Sequence, residues 1–198
     1  MSKNPLRHIS FLPLLAGIAL VLSLQSGLAL ANDGAKSGFI TDMLGQLDRV
    51  KGQIVSLEGA IPQDKFTNRP AEGVRSISEV YLHIAGSNYF LMSFTGAKLP
   101  ANSKIDEKGT TDKAKIADAL KASFDWTKDA VSKLSDADLD KEVPFFGQKT
   151  SVRNVLFVLL SHLHEHLGQS IAYARANGVV PPWSEEQQAQ LKDAMKKK

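Results

Sequence analysis

Ser161-His162-Leu163-His164-Glu165-His166-Leu167-Gly168-Gln169 places three of the chain's five histidines inside five residues. The stretch lies within an apolar run from Val155 to Tyr173 that reads as a helix. Residues four apart stack on one helical face, so His162 and His166 aim two imidazoles at one spot, while His164 points elsewhere. On a wheel, Val152, Leu156, Leu159, Leu163 and Leu167 centre the apolar stripe. His162 and His166 fall at its edge and Glu165 lies further out. A buried imidazole is unfavourable unless its nitrogens find partners. The segment therefore predicts a long, inward-facing helix that carries a histidine pair beside the core.

Working outward, Thr150 or Ser151 caps this helix, which runs to Asn177 and stops at Gly178. Val179-Val180-Pro181-Pro182-Trp183 leads to a short last helix, opened by a capping box of Ser184 and Gln187. Lys196-Lys197-Lys198 reads as a solvated tail. Upstream, Phe39, Ile40, Met43, Leu44, Leu47, Val50, Ile54, Leu57 and Ile61 recur at helical steps, and Pro62 ends that helix. Gly45, Gly52 and Gly59 share nearly one face of it, where a neighbouring helix is expected to approach closely. Residues 63–75 read as a loop. Ser76 and Glu79 form a capping box for a second helix, with a stripe of Ile77, Val80, Tyr81, Ile84, Asn88, Leu91 and Met92, closed by Gly96 and Pro100. A polar connection then runs to Thr110. The third helix spans about Asp112 to Leu134, and Ser135 to Gln148 is a long link. No convincing strand, internal repeat or low-complexity segment is visible. Four long amphipathic helices in one domain predict an all-α helical bundle over residues 32–198, with the short C-terminal helix appended.

Residues 1–31 are expected to be a cleaved signal peptide. Lys3 and Arg7 precede an uncharged, mostly apolar segment from Phe11 to Leu24, and Ala29-Leu30-Ala31 offers a small-x-small cleavage site. The apolar segment is short for a bilayer crossing, so no stable membrane insertion is expected after cleavage. A periplasmic or secreted protein follows. Cleavage would leave 167 of the 198 residues and, with Lys3 and Arg7 gone, lower the net charge from +3 to +1. That balance lacks the basic face of a nucleic-acid binder. With no cysteine, the chain has neither disulfides, nor a lipoprotein anchor, nor a cysteine nucleophile.

His83 sits on the flank of the second helix's stripe. A lone flank histidine is more often a hydrogen-bonded structural residue than a ligand. Beside an inward His162–His166 pair, however, a shared metal accounts for all three. Three neutral imidazoles with an open position form a known catalytic zinc arrangement, and the donor set suits zinc or nickel first, then iron or copper. Two other readings stay open. The pair could border a solvated groove. Alternatively, His162-Leu163-His164-Glu165-His166 matches H-x-x-E-H, which makes Glu165 a general base and requires a third acidic ligand from Glu185, Glu186 or Asp193. Those acids lie beyond a Pro-Pro break, with no further domain to form a cleft, so this peptidase reading ranks lower.

Glu79-Val80-Tyr81-Leu82-His83-Ile84-Ala85, the segment Asn154 to Gln169 and the ending Tyr173 to Ser184 resemble the DinB/YfiT-like metal-binding superfamily over essentially the whole mature chain. The resemblance implies a four-helix bundle with long crossover connections, in which His83, His162 and His166 hold a divalent metal and His164 does not. It implies a metal-dependent enzyme acting on a small-molecule substrate, as a hydrolase or a group or thiol transferase, because characterised relatives include transferases and an isomerase that use low-molecular-weight thiols. Homodimerisation is also frequent in the family and would suit the glycine-spaced face. An exported protein has poor access to cytosolic thiols, which lowers the thiol-transfer reading. The alternative is a metal-binding or dimerising bundle without catalysis. Gln169 is expected either to orient an imidazole or to pack between helices. Asn88, Glu79 and Glu165 are further candidates to orient the histidines. Tyr81, Phe145, Phe146 and Trp183 are expected to wall a pocket.

Overall fold

The computed structural model describes residues 38–184 and residue 195. Four long helices dominate: α1 (Gly38–Ala60), α2 (Ile77–Ser93), α3 (Lys113–Ser132) and, after three short elements, the helix at Val152–Ala176. Ile40, Met43, Leu47, Val50, Ile54 and Leu57 turn one face of α1 inward and are almost wholly buried. α2 is buried on nearly every side, and its entrance is fixed by the Ser76–Glu79 capping box. α3 is capped by Asp112, whose side chain accepts from the Lys115 amide, and buries Ile116, Leu120, Phe124 and Val131. Among the described residues no helix is long and apolar enough to cross a membrane.

The segment expected to be a plain link contains a one-turn helix, α4 (Asp136–Leu139), and two strands, β1 (Glu142–Phe145) and β2 (Gln148–Ser151). The expectation of no strand is therefore corrected. β1 and β2 pair antiparallel from Glu142↔Ser151 to Phe145↔Gln148. The turn between them has both central residues at positive φ, Phe146 at 48° and Gly147 at 80°, the conformation of a tight hairpin turn. Pro144 is tolerated because both strands of a two-stranded sheet are edges. Ser151, not Thr150, then caps α5 (Val152–Ala176) by accepting from the Asn154 amide. Gly178, at φ 77°, turns the chain away after α5.

The principal helix contacts are α1 and α2 each against α3 and α5. Consecutive helices α1 and α2 are thus diagonal to one another, and so are α3 and α5, which requires connections that cross the bundle. The bundle with long crossovers is the observed fold. Gly45, Gly52 and Gly59 do not mark a close helix approach within the described chain, since a Cβ at each would meet nothing within 4 Å. Trp126, half-buried on α3, stacks on Tyr89 with ring centroids 5.2 Å apart. Lys128 pairs with Asp48 of α1. Trp183, Ser184 and Met195 are helical, but residues 185–194 of the expected last helix, including Gln187, lie outside the described residues, as do the signal segment and the lysine tail.

Candidate metal centre

The fold brings His83 of α2 against His162 and His166 of α5. His83 Nε2 lies 3.2 Å from His162 Nε2, and His166 Nε2 lies 3.1 Å from the same atom. One donor nitrogen from each ring falls within 4.8 Å of the other two. All three rings are at least partly buried, His166 being 8% exposed.

The outer nitrogens set the neutral tautomer of two rings. His83 Nδ1 is 2.7 Å from Glu107 Oε1, and His166 Nδ1 is 2.7 Å from Gln169 Oε1. Both partners are acceptors, so each Nδ1 carries its proton and donates, leaving a lone pair on Nε2. Gln169 is oriented in turn by donating from Nε2 to the Tyr173 hydroxyl at 3.2 Å. Glu107 is held by Arg75, whose Nε donates to Oε2 at 2.7 Å. Burial works to raise the Glu107 carboxyl, but the hydrogen bonds and charges of Arg75 and His83 outweigh it and keep the group below its usual range.

His162 has no such anchor, because its buried Nδ1 is unpartnered among the described residues. Burial, and then the positive charge that His166, His83 or Arg75 can carry, push its pKa down to about 4. Burial also lowers that of His166, against the hydrogen bond to Gln169. At neutral pH His162 and His166 are therefore neutral imidazoles. The Nε2 atoms of His83 and His166 converge on His162 Nε2, and the space among them is one that a proton on His162 or a shared cation can occupy. Two nitrogens each roughly 2.0–2.1 Å from a tetrahedral ion stand about 3.4 Å apart, close to the separations here. The donor set fits a divalent metal.

The other singled-out residues separate clearly. His164 is exposed, with Nδ1 2.9 Å from the Leu160 carbonyl, and takes no part in the cluster. Glu165 is exposed as well, and the third group brought to the histidine pair is His83. The acidic residues that the peptidase pattern needs lie outside the described residues. Asn88 donates to Ser123 and Glu79 serves the α2 cap and Arg69, so neither orients an imidazole. Gln169 does. Glu107 was missed by sequence reasoning, because it lies in the irregular connection between α2 and α3 and carries no periodicity or motif.

The expected aromatic walls are also corrected. Tyr81 is 1% exposed and belongs to the core. Phe145 and Phe146 stack with Phe94 at the hairpin, with Phe90 against Phe146, and Trp183 packs against the core. The space beside the centre is lined instead by Ser87, Phe90, Ser103, Lys104, Ile105 and Glu107, together with His83, in a cleft of about 390 Å³.

A family model for the DinB superfamily matches residues 46–170. No curated protein matches the chain by sequence. Among solved structures, a DinB-like protein from Bacillus cereus is similar at TM-score 0.66 and 23% identity, over 72% of this chain and 95% of that one. The DinB-like protein YjoA from Bacillus subtilis gives 0.56 and 19%, over 69% and 92%. YfiT from Bacillus subtilis, described as "a probable metal-dependent hydrolase with an unusual four-helix bundle topology", gives 0.57 and 17%, over 74% and 92%. At these identities the likeness shows the shared fold.

Proposed function

Because the chain belongs to the DinB superfamily, we propose that it is an exported metal-binding bundle protein in which His83, His162 and His166 hold one divalent ion, zinc or nickel before iron or copper. The observation that carries this reading is the convergence of three Nε2 atoms, 3.1 and 3.2 Å apart, with two of the outer nitrogens already fixed by Glu107 and Gln169. Acceptors on the far nitrogens of histidine ligands orient the rings and raise their basicity.

The same reading makes the protein a metal-dependent enzyme acting on a small molecule. A divalent ion held by these three imidazoles would supply Lewis acidity toward water or a thiol. The chain's own residues hold His83 and His166 in the required tautomer, bury all three rings at least partly, and leave a cleft reaching His83. Hydrolysis is favoured over thiol transfer, since YfiT is described as a hydrolase and export separates the protein from cytosolic thiols. A metal-binding or dimerising bundle without catalysis is the second reading, and the open cleft at His83 weighs against it.

The test is expression of the full sequence without a histidine tag. Recovery with Asn32 as the first residue would agree with removal of residues 1–31. Elemental mass spectrometry should find about one divalent ion per chain, lost in both His83→Ala and His162→Ala. A chain that takes up no zinc or nickel, or variants that keep it, would refute the three-histidine site.

A further inference from the structure

We propose that the cleft at His83 binds the substrate, and that it takes a small molecule with an apolar body and an anionic oxygen group, held by Ser87, Ser103 and Lys104. This rests on the three-histidine centre holding a divalent ion.

Location comes first. The 390 Å³ cleft is lined by a histidine of the centre itself, and its size suits a small ligand. A larger cleft of about 610 Å³ carries Arg69, Arg75 and Lys108, but it reaches only Glu107 and Gln169, on the outer side of the imidazoles. There Arg69 and Arg75 are already engaged by Glu79 and Glu107.

The chemistry of the lining is the second argument. Ser87 follows His83 by one helical turn, is 9% exposed, and its Oγ lies 3.4 Å from His83 Nε2. That contact is its only side-chain hydrogen bond among the described residues. Once the nitrogen's lone pair is committed to an ion, the hydroxyl loses its acceptor and can donate to a ligand in the cleft. Lys104 is exposed and pairs with no carboxylate among the described residues, and the Ser103 hydroxyl has no partner there. Phe90, 51% exposed, and Ile105 add apolar surface to the same lining.

Charge balance gives the sign of the ligand. Neutral imidazoles bring no negative charge to a dication, and the carboxylate bonded to His83, that of Glu107, is tied to Arg75. An anion entering the cleft meets an uncompensated positive field and an unpaired ammonium.

The experiment uses the mature protein loaded with cobalt(II), whose visible absorption reports changes at the ion. Benzoate, phenyl phosphate, acetate and benzyl alcohol are titrated in turn. Benzoate or phenyl phosphate should bind saturably and roughly tenfold more tightly than acetate, with no response to benzyl alcohol. The stronger of the two identifies the anionic group as carboxylate or phosphate. Lys104→Ala should weaken that ligand roughly tenfold, while Lys108→Ala in the other cleft leaves it unchanged. Ser87→Ala should keep the bound cobalt but alter the spectrum of the anion complex. Equal affinity for acetate and benzoate, or indifference to Lys104→Ala, overturns the cleft assignment alone. Failure to take up cobalt at all overturns the metal centre on which it stands.

Discussion

Glu107 illustrates what one residue decides at this centre. Its carboxylate accepts one hydrogen bond from His83 Nδ1 and two from Arg75, so one charge fixes a tautomer and a ring orientation together. Glu107→Ala leaves His83 free to rotate and its Nδ1–H without an acceptor. Metal affinity should fall about 10- to 100-fold, with helicity by circular dichroism unchanged. Competition with a chromophoric chelator would measure it, and wild-type affinity in the variant would remove Glu107 from the site. His162 is the contrasting case. Its Nε2 lies near those of both other rings, but its outer nitrogen has no acceptor among the described residues, so no hydrogen bond on that side orients it.

At the scale of elements, the centre is a bolt between two helices, and its precision depends on how each is registered. α5 carries the pair at i and i+4, which any continuous helix would align. α2 must deliver His83 at one height, and its start is set by the Ser76 capping box, reinforced by the Ile77 amide on the Asn68 carbonyl and the Ser78 amide on the Phe66 carbonyl. Ser76→Ala should cost about 1 kcal/mol of stability in chemical denaturation, because it strips the acceptor from the Glu79 amide at a buried helix end. A loss of much less than this would mean that the two long-range amide bonds fix the helix start without the cap. The β1–β2 hairpin packs on the start of α5 and replaces the expected bare link. Its exposed Phe146 stacks with Phe145 and Phe94 at the end of α2.

For the whole molecule, burial of charge couples stability to pH. Glu58, on the last turn of α1, is 2% exposed, and one of its oxygens has no partner among the described residues. Burial raises its pKa, against the attraction of Lys113 and Lys121 from α3. An acid whose pKa is higher in the fold than in the unfolded chain binds its proton more tightly when folded. The ionised form therefore destabilises the fold above that pKa, and stability is regained as pH falls through it. Glu79, Glu107 and Asp138 have lowered values and act in the opposite direction, so the comparison has to be made against a variant. Thermal melts between about pH 8 and pH 5 should show wild type gaining stability relative to Glu58→Gln as the pH falls. A constant difference would show that Glu58 is as well solvated folded as unfolded.

By itself the sequence determined the four long helices, the capping box at Ser76, the inward stripe of α5 and the His162–His166 pair. Each of these depends on neighbours three or four residues apart, and helical geometry brings such neighbours together without help from the rest of the chain. The resemblance carried by the motifs around His83 and His162 added the crossovers and the third histidine. Only the tertiary structure decided the rest. Glu107 reaches His83 from an irregular loop, Ser87 and Lys104 meet at one cleft from different segments, and Tyr81 goes to the core while Phe146 goes to solvent. The hairpin escaped notice because four-residue strands, one containing Pro144, are too short for alternation to register. Those outcomes depend on how α2 and α5 pack across the bundle, a relation between residues far apart in sequence that no local period records.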